Sequence, residues 1–425
     1  MKFDHLRGGV SALGLVAALT VGAATANATE GYFQTGYGTI QKAQAGAGVA
    51  NPEDAMTLSV NPAGLVDVGN QFNIAFTLFS PSRDVTAGAG GPGTMLPAGK
   101  TKSDSNYFLM PNMAYSRQID SQSAWGVAVY GNGGMNTNYP AVFGGSMCPA
   151  PGVGLFCAGV SGVNLEQMFV TVGYARRMGD ISIGIQPIVA MQKFRANGIL
   201  SFAPFSSDWT NLSNRDNDYA FGAGVRAGIQ WTIQPGVRLG LTGTTPIWST
   251  KFDKYKGLFA DQGGFDIPGS VSAGLAWDAT KDLTLMLDWR HIFYSNVGSV
   301  GNTSTTLGVV PLGASGGPGF GWRDVDAFSI AAAYKATKDL TLRAGYSHNT
   351  NPIRSQDAMF NIFAPAVVTD HFSGGASYKL NPNSGIELAV GYVPRASVSG
   401  FAMGGQPVRI SMEQWEASVG YTYKF

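Results

Sequence analysis

From Trp415 onward the chain alternates strictly: Trp415, Ala417, Val419, Tyr421, Tyr423 and Phe425 are apolar or aromatic, and Glu416, Ser418, Gly420, Thr422 and Lys424 between them are polar or small. Period two puts the two sets on opposite faces of a β-strand, one greasy and one wet. The pattern recurs. Leu283, Leu285, Leu287 and Trp289 alternate with Thr284, Met286, Asp288 and Arg290; Phe221, Ala223, Val225, Ala227, Ile229 and Trp231 with Gly222, Gly224, Arg226, Gly228 and Gln230; Leu340, Leu342, Ala344 and Tyr346 with Thr341, Arg343, Gly345 and Ser347. Each run predicts a strand with its apolar set toward lipid and the other set toward a lumen. A soluble β-sandwich would alternate too, but its greasy face would be its core and it would rarely need so many long strands.

Charged residues make up 13% of the chain, against about 25% in ordinary soluble domains. Residues 1–28 read as an export signal: Lys2 and Arg7 lead an apolar segment over 10–24, and Ala26-Asn27-Ala28 is an A-x-A cleavage site. Asp4 is out of place in such a basic region. A membrane anchor is the rival, but the apolar segment is short for a span and no basic stop-transfer flank follows. No other stretch is apolar and long enough for a membrane helix, so a membrane-spanning form of this chain must be a closed barrel. The net charge of +1 gives nucleic acid nothing to bind. In an exported chain, a disulfide between Cys148 and Cys157 is expected; the rival, a metal site, finds no neighbouring Cys or His to complete a ligand set. No cofactor is expected.

Short polar breaks at 118–122, 177–180, 234–236, 279–282, 336–338 and 381–384 each separate two alternating runs. These six turns join twelve strands, and a first strand near 71–81 and a last near 413–425 bring the count to fourteen. The even number fits an all-β, antiparallel transmembrane barrel with both ends on the periplasmic side. Segments rich in Gly, Pro, Ser and Asn at 84–103, 135–163, 197–214, 251–264, 297–321 and 351–364 are expected as outer loops. The run at 279–285 recurs at 336–342, as two hairpins solving the same turn.

Residues 29–69 do not alternate. They are dominated by small residues, with Asn-Pro steps at Asn51-Pro52 and Asn61-Pro62. A short helix is expected over 53–58, with Glu53 and Asp54 at its positive end. Small residues let a backbone pack in a confined space, and the natural place is the barrel lumen, as a plug.

Here the chain resembles a known family. Gly46-Ala47-Gly48-Val49-Ala50, Glu53-Asp54-Ala55 and above all Asn61-Pro62-Ala63-Gly64 look like the amino-terminal hatch of the FadL/TodX-type outer-membrane transporters. Similar matches follow at Gly162-Val163-Asn164-Leu165, Trp322-Arg323-Asp324, Leu342-Arg343-Ala344-Gly345-Tyr346, Asn361-Ile362-Phe363-Ala364-Pro365-Ala366, Asp370-His371 and the closing Tyr421 to Phe425. The resemblance implies a 14-stranded barrel over 70–425 with a luminal hatch over 29–69, gated around Asn61, Pro62, Ala63 and Gly64. It implies passive uptake of hydrophobic molecules, foremost long-chain fatty acids, with aromatic or aliphatic hydrocarbons as the alternative. The implied setting is a Gram-negative outer membrane. The implied partners are its lipid and lipopolysaccharide and the barrel-assembly machinery, whose signal the terminal Phe425 resembles; the barrel is implied to be a monomer.

In the family, an inward kink of the third strand opens the wall beside the hatch. Here that strand runs from Trp125 to about Tyr130 and meets Gly131-Asn132-Gly133-Gly134. Glycines in a strand mark a bulge or bend, or they simply begin the next loop. Val at Gly133 and Gly134 is expected to restore regular pairing in a stable barrel. Pro187 is a second candidate break. Arg226, Arg238, Asp288, Arg290, Arg343, Glu387, Glu416 and Lys424 are assigned to the lumen. An arginine there would hold a cargo carboxylate, or the charges pair with one another or tie down the hatch. Phe143, Phe156, Phe202, Phe205, Trp209, Phe259 and Phe265 offer an apolar landing site or belong to the interface belt. A barrel hydrolase would need a positioned Ser-His pair, and no nucleophile motif accompanies His291, His348 or His371. An open porin would lack the hatch.

Overall fold

The structure, a computed structural model, describes residues 30–142, 148 and 153–425. The expected export signal and Phe143 lie outside the described residues. Fourteen long strands follow one another: β1 (Gln71–Ala87), β2 (Phe108–Gln118), β3 (Ser123–Asn136), β4 (Gly162–Met178), β5 (Ile181–Asn197), β6 (Asp218–Gln234), β7 (Val237–Thr244), β8 (Ser270–Asp278), β9 (Leu283–Ile292), β10 (Val325–Lys335), β11 (Leu340–Asn349), β12 (Asp370–Asn381), β13 (Ser384–Phe401) and β14 (Pro407–Lys424). Each pairs antiparallel with its sequence neighbours, and β14 returns to β1 with Gln71 opposite Lys424. The sheet closes on itself through β14 and β1, so it has no free end strand. Two short strands, Gly99–Lys102 and Trp248–Ser249, fold back onto β1 and β6.

The alternation sets the facing of the strands. On β6, Phe221, Val225, Ile229 and Trp231 are exposed on the outer surface, while Ala220, Arg226 and Gln230 are buried inside. Exposed Trp231, Trp277, Tyr334, Tyr378 and Tyr423 ring the end that carries the short turns, as amphipathic rings do at a membrane–water interface. The strand ends differ from the sequence-based bounds at the outer ends of β1, β3 and β14. β1 continues past Pro81 to Ala87 and β14 begins at Pro407, because the two, with β13 beside them, extend together, Val85 opposite Ile410 and Phe401 opposite Pro407. Pro187 does not break β5, which runs through it and keeps register with β6 at Val225. Only the ladder to β4 skips there, between Thr171–Ile188 and Tyr174–Ile185.

Residues 30–69 lie inside the barrel, nearly all buried. They form helix α1 (Thr39–Ala43), 3₁₀ turns at Ala55–Ser59 and Pro62–Gly64, and helix α2 (Leu65–Val68). The helix expected over 53–58 is the first of those 3₁₀ turns. It starts later because Asp54 stands before it as a cap, accepting from the Met56 N–H at 2.9 Å. Asn61 caps the second turn through the Ala63 N–H at 3.1 Å, with Pro62 at the first position, where its missing N–H costs nothing. Outside the barrel, Cys148 and Cys157 are joined by a disulfide in the loop between β3 and β4.

Candidate functional site

The inward charges of the wall converge on the inner segment. Asp288 accepts from the Gly48 and Val49 N–H groups at 2.7 and 2.8 Å. Arg226 donates to the Leu58 carbonyl (3.0 Å) and to Tyr130 (3.2 Å). Arg290 pairs with Glu30 at 2.9 Å, Lys42 of α1 pairs with Glu416 at 2.7 Å, and Arg343 pairs with Glu53. Arg238 bridges Asp278 (2.7 Å) and Asn51 (3.0 Å) at the short-turn end. Glu387 is buried beside the segment, and Lys424 is exposed at the barrel mouth, where the wall no longer covers an inward residue. Of the two roles open to these charges, the structure draws tethers to the inner segment. Backbone approach is just as close. Asn61 donates to the carbonyls of Val49 (2.9 Å) and Ile229 (3.1 Å), and it fits because position 228 is glycine: a Cβ there would lie 2.0 Å from its side-chain oxygen. Gly64 likewise has Pro52 and Thr57 where a Cβ would stand.

Gly131, Asn132, Gly133 and Gly134 lie within β3 and do not begin the loop. The register with β4 shifts between Gly131 and Gly133, which leaves Asn132 as a bulge. Beyond the bulge the strand turns onto the inner segment. Gly134 N donates to the Tyr32 carbonyl (3.1 Å), Gln34 N to the Asn132 carbonyl (3.3 Å), and the Gln34 amide to the Gly131 carbonyl (2.6 Å). Consequently the β2–β3 ladder stops at Asn112 opposite Tyr130, although β2 continues to Phe108 along β1 and β3 continues to Asn136 along β4. The wall is unzipped over that stretch. Pro111 sits on β2 there, a residue tolerated where a strand is locally an edge. Straightening by Val at Gly133 does not follow from this geometry, because a Cβ at that position meets the Tyr32 carbonyl.

Above the barrel the loops form a cap with an apolar cavity of about 60 Å³, lined by Phe194, Ile199, Phe202, Leu258, Phe259, Phe320 and Phe363 among others. Phe156, Phe202, Phe259 and Phe265 are buried in this cap, while Trp209 is exposed. Ser206 Oγ donates to the Gly257 carbonyl (2.7 Å) and Leu312 N to the Phe205 carbonyl (2.8 Å), so three loops are tied together. Asp208, held near pKa 2 by the Thr210 hydroxyl and the Asn211 amide, stays ionised opposite Lys256 at 3.4 Å. Phe363 also lines a second, smaller cavity at the unzipped wall, together with Phe79, Arg83, Met135 and Met412. Phe79 in turn lines a third beside Lys42, His371 and Glu416. The three cavities thus form a series, with Phe363 and Phe79 as shared walls.

The family model described as outer membrane protein transport protein (OMPP1/FadL/TodX) matches residues 15–425. The chain belongs to that family. As a FadL/TodX barrel it lies in the outer membrane, and it shares its fold with solved members. The toluene transporter TodX of P. putida superposes with a TM-score of 0.67 at 18% identity, over 92% of this chain and 99% of that one. A FadL homologue of Pseudomonas aeruginosa gives 0.67 at 16% identity, over 93% and 100%. The toluene transporter TbuX of Ralstonia pickettii gives 0.64 at 17% identity, over 92% and 99%. No curated protein matches the chain. Two of the motifs that resembled the family meet in this barrel: the Trp322 indole donates to Asn361 at 2.5 Å inside the cap. The histidines take no serine partner among the described residues; His291 bonds Asp326, His348 bonds Asp370 and His371 bonds Asn349.

Proposed function

We propose that this FadL/TodX barrel passes hydrophobic molecules, foremost long-chain fatty acids, passively from the cap into the outer membrane. The observation that carries the reading is the unzipped β2–β3 wall above Tyr130, where β3 bends onto the inner segment. Residues 29–69 act as the hatch, with Asn61, Pro62, Ala63 and Gly64 anchoring it against β6. Gly131, Gly133 and Gly134 let β3 leave the wall. Cargo enters the apolar cap, moves past Phe363 to the cavity at the gap, and leaves sideways between β2 and β3. Each cavity is small, about 60 Å³ for the cap, so passage needs side chains to step aside in turn. The tethers on both sides of the hatch favour a sideways route over one through the hatch. The barrel works as a monomer, seated among lipid and lipopolysaccharide after delivery by the assembly machinery. It is a channel and not an enzyme.

Aromatic hydrocarbons are the second reading, because TodX and TbuX are described as toluene transporters. The test is uptake by Gram-negative cells with and without the protein, using labelled hexadecanoic acid, hexadecane and toluene, with conductance recorded in parallel. Faster entry of hexadecanoic acid without a steady open-pore current supports the reading. Equal uptake of all three in both strains refutes it.

A further inference from the structure

We propose that Arg83 is an anion subsite set across the wall opening, which selects amphiphiles with an acidic head. The inference rests on the uptake reading above and names the part of the cargo that one residue recognises. Arg83 stands on β1 facing inward and is 4% exposed. Its side chain reaches over the Phe108 ring of β2, with the guanidinium carbon 5.6 Å from the ring centre, and Nη1 donates to the Asn136 carbonyl of β3. It therefore spans the place where β2 and β3 have separated.

Every other inward arginine named above reaches the hatch or a carboxylate, and Arg83 does neither. The adjacent Asp84 is taken by Lys100 at 3.1 Å and by Arg395. The Nε and Nη2 groups of Arg83 have no hydrogen-bond partner among the described residues. An arginine cannot shed its charge, and buried donors left unpaired are costly. Two free N–H groups on one planar fork match the two oxygens of a carboxylate. The surroundings supply the rest of an amphiphile site. Phe79, Phe108 and Met110 form an apolar cluster under the guanidinium, and Met135, Met412 and Phe363 line the adjoining cavity. That cavity is about 10 Å³, so a head group enters by displacing the flexible methionines. A neutral hydrocarbon gains nothing from Arg83; an acid gains a paired, charge-assisted contact where its tail faces the opening.

The test measures binding of hexadecanoic acid, its methyl ester and toluene to detergent-purified full-length barrel, for the wild type, Arg83→Gln and Arg83→Lys. Wild type is expected to bind the acid on the order of tenfold or more tighter than the ester. Arg83→Gln is expected to erase that preference while ester affinity holds, and Arg83→Lys, which keeps the charge without the fork, to fall between. Equal binding of acid and ester by wild type overturns the proposal without needing any variant to fold. So does an acid preference that survives in folded Arg83→Gln. Wild type that binds the ester or toluene but shows no acid preference leaves the uptake reading standing and removes Arg83 from it. Wild type that binds none of the three probes overturns both.

Discussion

A Cβ placed on Gly133 would come within 1.8 Å of the carbonyl oxygen of Tyr32. That contact joins the bent part of β3 to the first turn of the inner segment, and the Gly134 N–H bond to the same carbonyl fixes it. The glycine is needed for close approach more than for flexibility. Gly133→Ala should therefore push the hatch entry away from β3 without straightening the strand. We expect a folded barrel with raised single-channel conductance and slower cargo uptake; conductance and uptake equal to wild type would contradict this role for Gly133.

Removing residues 30–64 should leave a barrel that still inserts, since the strand ladder closes through β14 and β1 without them. Its conductance should rise to that of an open pore. A truncated barrel that conducts no better than the full chain would rule out the hatch assignment.

Asp288 holds two backbone N–H groups of the inner segment with one oxygen. Asp288→Ala leaves both donors buried and unpaired, at a cost of about 1–3 kcal/mol each. Hydrogen exchange at Gly48 and Val49 should accelerate on the order of tenfold to a hundredfold while β-strand amides keep their protection. Unchanged exchange at these two amides would show that Asp288 does not carry the tether.

Arg343, buried on β11, pairs with the partly exposed Glu53 of the inner segment, and Ser377 bonds the same guanidinium at 2.7 Å. Removing one partner leaves the other short of its charge-assisted bond, so Arg343→Gln or Glu53→Gln alone should each destabilise by about 1–3 kcal/mol. The double variant should cost clearly less than the sum, which a double-mutant cycle in denaturant would read. Additive losses would mean that the pair is not coupled.

The strands were legible in the sequence because period-two alternation is local: Phe221 through Trp231 carries its own facing. The six short turns were legible for the same reason. The extension of β1 was not, because alternation of burial fails at Asp84, which the neighbouring hairpin and β14 cover. Ending that strand at Pro81 also hid Arg83, although it keeps the inward parity of Gln71, Asn73 and Thr77. The partners of the luminal charges were beyond reach. Glu30 and Arg290 are 260 positions apart, and no local pattern reports such a contact. The wall opening shows the same limit: four residues with three glycines suit a bulge or a loop start, and only the inner segment beside them decides.

The route itself can be read directly by photolabelling. A diazirine-bearing long-chain acid, photolysed on the barrel in lipid bilayers and mapped by mass spectrometry, should mark Phe79, Phe108, Met110 and Met135 at the β2–β3 opening. Label gathered instead around Asn51, Arg238 and Asp278, at the far mouth past the hatch, would contradict lateral release.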